Sequence, residues 1–66
     1  MRHIKLNSVG AIIDRETKFV YPQNIDGTLD LNSGNHFTDC CKEWYESLDK
    51  YDMQIIHNLL IEYCFN

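Results

Sequence analysis

Met53-Gln-Ile-Ile-His-Asn-Leu-Leu-Ile-Glu-Tyr-Cys-Phe-Asn66 decides the reading of this chain. Nine of the thirteen residues from Met53 to Phe65 are apolar. On a helix turning about 100° per residue, Met53, Ile55, Ile56, Leu59, Leu60, Tyr63 and Cys64 cover about half the circumference. Gln54, His57, Asn58 and Glu62 take the other half. Ile61 and Phe65 break the separation. They fall among the polar residues, where a small domain standing alone leaves them in water. The expectation is a C-terminal helix whose second side is covered by another copy of the chain.

The rest of the chain reads outward from that helix. From Asp39 to Leu48 a second wheel separates cleanly, with Cys40, Cys41, Trp44, Tyr45 and Leu48 on one side. Lys42, Glu43, Glu46 and Ser47 occupy the other. Thr38 or Asn35 is the expected cap, and Glu46 and Lys50 form an i,i+4 pair if the helix extends that far. Asp49 or Asp52 restarts the chain as the last helix; whether Leu48 to Asp52 bends is left open by the pattern.

Upstream of residue 32 the pattern changes. Ile4 and Leu6 alternate with polar neighbours, and Val9 to Ile13 follows, with Gly10 as a bulge or crowded crossing. Asp14-Arg-Glu-Thr17 is a polar turn before Lys18-Phe-Val-Tyr21, a hairpin reading. Pro22 ends the strand because it has no N–H to donate. Asn24-Ile-Asp-Gly27 is a second turn, its Asp-Gly suited to positive φ. Thr28-Leu-Asp-Leu31 alternates as a further strand. Phe19, Tyr21, Leu29 and Leu31 are expected on one face. The fold class is therefore α+β, one domain over residues 1–66: a three- or four-stranded antiparallel meander in 1–31, then two helices in 36–66 packed on one face. Trp44 is the expected centrepiece.

Composition excludes several functions. The formal charge is −4, and the six Lys and Arg residues are scattered, so no basic patch forms for phosphate binding. The longest apolar run near the helix, Leu59-Leu60-Ile61, is far short of the roughly 20 residues of a membrane span. Nucleic acid and membrane are not expected partners. Three cysteines, two of them adjacent, make a poor disulfide framework, and the alternating N-terminus is unlike a signal peptide; a reducing, cytoplasmic setting is expected. A domain of this size buries only about 60% of its unfolded surface. With so small a core no enzymatic pocket is expected, and neither is a cofactor.

Three constellations remain. His36, Cys40, Cys41, His57 and Cys64 are metal-ligand types without the Cys-x₂₋₄-Cys clip that makes such a set specific. Cys40, Cys41 and Cys64 are expected to be small buried hydrophobes, with a Cys/His metal protein as the lesser reading. Asp39, Cys40 and His36 lie close enough for an activated thiol, but no catalytic role is expected on so small a scaffold. Asn24 to Asp30 has the look of a calcium loop but lacks the terminal carboxylates. Finally Asp39, Glu43 and Glu46, with Asp49 and Asp52 beyond, form an acidic side. Carboxylates along a rod can occupy a basic groove on a nucleic-acid-processing protein as phosphate mimics.

The succession Gly10-Ala11, Asp14, Glu16-Thr17, Phe19-Val-Tyr-Pro22, Asp26-Gly27, Asp30, His36, Asp39 and Glu43-Trp44 resembles small uncharacterised proteins of marine tailed phages. It covers about residues 10 to 48. The resemblance implies a small cytoplasmic accessory protein acting in an infected bacterium and brings no functional residues; a host protein is the partner that the acidic-inhibitor reading adds. Of the function classes, a non-enzymatic interaction module fits best. It self-associates as a homodimer or higher homo-oligomer through Ile61 and Phe65, with Tyr63 at the edge. The acidic inhibitor, carried by Asp39, Glu43 and Glu46, is the alternative.

Overall fold

The computed structural model describes residues 2–65. Four strands, β1 (His3–Leu6), β2 (Ala11–Asp14), β3 (Phe19–Pro22) and β4 (Asn35–His36), pair antiparallel in chain order. Two helices follow, α1 (Lys42–Glu46) and α2 (Lys50–Phe65). The α+β meander-then-helices architecture is that read from the sequence.

Register decides which residues point inward. Ile4 lies opposite Ile13, Leu6 opposite Ala11, and Ile13 opposite Val20. Leu6, Ala11, Ile13 and Val20 are thereby buried on one face. Phe37, Leu48, Ile56 and Leu59 close over them. A one-residue slip would send this whole set to solvent, so the alternation specifies the register.

The turns behave as local chemistry dictates. The Asp14 carboxylate accepts the N–H groups of Glu16 (2.9 Å) and Thr17 (3.3 Å) and folds the β2–β3 connection. It is nearly fully buried, and Arg2 grips it through Nε and Nη2. The Arg2 guanidinium, helped by those backbone N–H groups, outweighs burial and holds the Asp14 carboxyl down at about 2. Gly27 has positive φ, as its Asp-Gly context requires. Gly10 is left-handed too, with open space at its Cβ position, so it serves φ and not a crowded crossing. The crowded glycine is Gly34: a Cβ there would overlap the Tyr21 ring, with Cδ1 at 2.6 Å.

Several expectations are corrected. Residues 28–31 form no named strand. Gln23 and Leu29 make a single bridge, and Leu31–Ser33 is a 3₁₀ turn capped by Asp30, whose side chain accepts the Asn32 N–H. The fourth strand is Asn35–His36, beyond the expected end of the meander at 31. Phe19 and Tyr21 do share a face, stacked at 6.2 Å, but Val20 faces the core, and Leu31 is exposed. The first helix is only Lys42–Glu46. Phe37–Asp39 makes a separate 3₁₀ turn that buries Phe37, leaving Cys40 and Cys41 extended. Neither Thr38 nor Asn35 caps α1, whose Cys41 cap position bears no side-chain bond. The centre of the core is Phe37, at 1% exposure, while Trp44 is half-buried. The chain breaks between α1 and α2, so Lys42 pairs with Glu46 (3.8 Å) where Glu46 with Lys50 was expected.

Two measurements check this account. Gly34→Ala should destabilise by about 1–3 kcal/mol, read from urea unfolding, because Tyr21 must leave its place. Asp14 has a depressed folded pKa, so its contribution is present above the unfolded value near 4 and fades as pH falls through 4 toward 2. That contribution is about 2 kcal/mol, and Asp14→Asn should flatten the acid limb of the stability–pH curve in that window.

Candidate functional site

α2 is locked in rotation at both ends. Asp49 caps it, accepting the Asp52 N–H at 2.8 Å. Asp52 turns inward, 3% exposed, and accepts the Ser8 N–H (2.9 Å) and the Ser8 hydroxyl. Ser8 Oγ in turn accepts the Asp49 N–H at 3.1 Å. Near the other end Glu62 meets Arg15 at 3.3 Å and Lys18 at 3.5 Å. The hydrogen bond from Arg15 keeps the Glu62 carboxyl below its ordinary value. Between these pins Ile56 and Leu59 enter the core and Ile55 is half-buried.

That rotation sets the outward face. Ile61 (45% exposed) and Phe65 (85%) are in solvent, and so are Met53, Leu60 and Cys64, which the wheel had placed inside. Tyr63 sits at the flank, its ring 5.1 Å from His36 and 5.7 Å from Phe37. The two expected anchors, Ile61 and Phe65, and the expected edge residue Tyr63 thus share one end of α2, with Tyr63 partly engaged by its own chain.

The acidic set is divided. Glu43 and Glu46 lie exposed on α1, whereas Asp39 belongs to the preceding 3₁₀ turn, separated by extended Cys40 and Cys41. Glu46 is paired with Lys42. Asp49 and Asp52 do not prolong the run: one caps α2 and the other is buried.

The Cys and His residues are likewise dispersed. Among the described residues no three His, Cys, Asp or Glu side chains converge as a metal site requires. His36 is engaged by Thr38, Nδ1 to Oγ1 2.7 Å, and lies between Phe19 and Tyr63. Cys40 Sγ turns toward the His36 carbonyl, and burial pushes its thiol pKa up. Cys41 and Cys64 are exposed rather than buried as expected.

Sequence reasoning missed a groove. An open cavity of about 450 Å³ lies between α1 and the sheet. Val9, Ala11, Val20, Pro22 and Trp44 give its apolar lining, and Ser33, Asn35, Asp39 and Cys41 its polar lining. These residues come from segments scattered over positions 9 to 44, so no spacing in the sequence signals them.

Compared with protein-family models, curated proteins and solved structures, the chain matches none.

The thiol environments have a measurable consequence. Raised pKa and partial burial leave Cys40 less thiolate at neutral pH than an ordinary cysteine. With iodoacetamide, mass mapping should show Cys41 and Cys64 alkylated well before Cys40. Equal rates at all three would contradict the packing described.

Proposed function

We propose that this protein is a non-enzymatic interaction module that self-associates as a two-fold dimer through the outward face of α2. One observation carries the reading: Met53, Leu60, Ile61 and Phe65 are exposed along a single side of a helix already anchored by its other side. Large apolar side chains left exposed together on one helix face mark interaction sites.

The charge pattern favours a second copy as the occupant. Two chains of formal charge −4 repel, and a contact free of charged side chains adds no close like-charge pair to that repulsion. Met53, His57, Leu60, Ile61, Cys64 and Phe65 include no Asp, Glu, Lys or Arg. An antiparallel crossing centred on His57 sets Met53 of one copy against Ile61 of the other, so the patch is complementary to itself. That is the requirement of a two-fold interface. A helix of 16 residues is about 24 Å long. One helix face buries well under the ~800 Å² per partner of a standard stable interface. The contact is therefore weak and concentration-dependent.

Sedimentation velocity tests it. The weight-average mass should rise from one toward two chains between about 10 μM and 1 mM, a dissociation constant between the micromolar and millimolar levels. Ile61→Asp, at an exposed position, should keep the fold and hold the chain monomeric. A monomer at the upper concentration, or an unaltered isotherm for the variant, overturns the reading.

A further inference from the structure

The groove under α1 is separate from the dimer face, since α2 contributes nothing to its walls. Its polar lining contains one carboxylate, Asp39. Ser33 Oγ commits its one hydrogen to Asp30 Oδ2 at 2.8 Å, leaving only lone pairs for a ligand. The Asn35 amide nitrogen gives one hydrogen to the Ser33 carbonyl at 3.5 Å, and Oδ1 is an acceptor beside its remaining N–H. Among the described residues Asp39 forms no ion pair, although it is an exposed carboxylate in an acidic chain. The Cys41 thiol, the Trp44 indole N–H and the second Asn35 amide N–H are the side-chain donors there. Three oxygen acceptors thus line a cavity whose remaining surface is Val9, Pro22, Trp44 and their apolar neighbours.

We propose that this groove binds a primary ammonium carried on a compact apolar body, with the –NH₃⁺ group at Asp39, Asn35 and Ser33 and the body against Pro22 and Trp44. An ammonium has three donors and no acceptor, matching the three acceptors here. A carboxylate ligand meets Asp39 as a like charge. A purely apolar ligand strips water from the oxygens and returns nothing. The indole adds attraction for a cation near its face. The volume is within the range of small-molecule sites.

Trp44 is the only tryptophan, so its fluorescence reports on this wall alone. The probe is 2-phenylethylamine, compared with 3-phenylpropionate, which reverses the charge, and phenethyltrimethylammonium, which keeps the charge and lacks N–H donors. The amine should give a saturable Trp44 change with a dissociation constant near the millimolar level expected of so small a ligand. Both analogues should bind at least about tenfold more weakly, since charge-assisted hydrogen bonds need both charge and donor. Asp39→Asn should weaken the amine about tenfold with an unchanged thermal melt. A non-saturating response, equal binding of either analogue, or wild-type affinity in Asp39→Asn overturns the proposal. The analogue comparison needs no variant and decides the matter even if that substitution perturbs folding.

Discussion

The placement of one buried carboxylate governs this structure. Asp52 sits in the first turn of α2, where the unsatisfied N–H groups of the helix favour negative charge. It is also inside the protein, and a buried charge is tolerated only with partners. Ser8, 44 residues upstream, supplies two donors, and its oxygen returns an acceptor to the Asp49 N–H. The three residues form a capping box with the serine of a distant 3₁₀ turn inserted between its members. The knot fixes where α2 starts and how it is rotated. Which side of α2 is free depends on it.

The second pin is built from a residue in an uncommon conformation. Lys18 has φ of 66°, and the left-handed region costs a non-glycine residue roughly 1 kcal/mol. The same geometry turns its side chain inward, where Nζ donates to the Arg15 carbonyl and reaches Glu62. Glycine would relieve the backbone and forfeit the link between the β2–β3 turn and α2. The pair itself is partly exposed and worth little as an ion pair. Its weight is geometric: it stops the far end of the helix from rolling.

The sequence disclosed what depends on local pattern. The β-hairpin at Asp14–Thr17, the positive φ at Gly27 and the exposed positions of Ile61 and Phe65 all follow from spacing or residue type. It concealed what depends on distant partners. The wheel weighs hydrophobicity alone and so set the buried stripe of α2 roughly 50° from its actual direction, at 100° per residue. Asp52, counted as polar, faces in because Ser8 meets it. Met53 and Leu60 face out as the counterpart. Similarly, Leu29 and Leu31 alternate like a strand, but Asp30 accepts the Asn32 N–H and Ser33 hydroxyl and tightens that stretch into a 3₁₀ turn. Asn35–His36 has no strand propensity to notice; it pairs with β3 because Phe37, just beyond it, must be buried. The groove was illegible for the same reason, being a product of how five short segments meet.

Exposed apolar side chains on this protein are of two kinds, and only one calls for a function. Ile25, Leu31 and Tyr51 are isolated on turns or at a helix start, and single exposures of this sort are ordinary. Met53, Leu60, Ile61 and Phe65 form a row on a helix whose core contribution is already made by Ile56 and Leu59. They add nothing to the interior and risk non-specific association, a cost a small acidic chain avoids by placing polar residues there. Gln54, His57 and Asn58 show that polar residues fit the same helix without difficulty. The four apolar side chains among them are thus not required by the packing of this chain's own core.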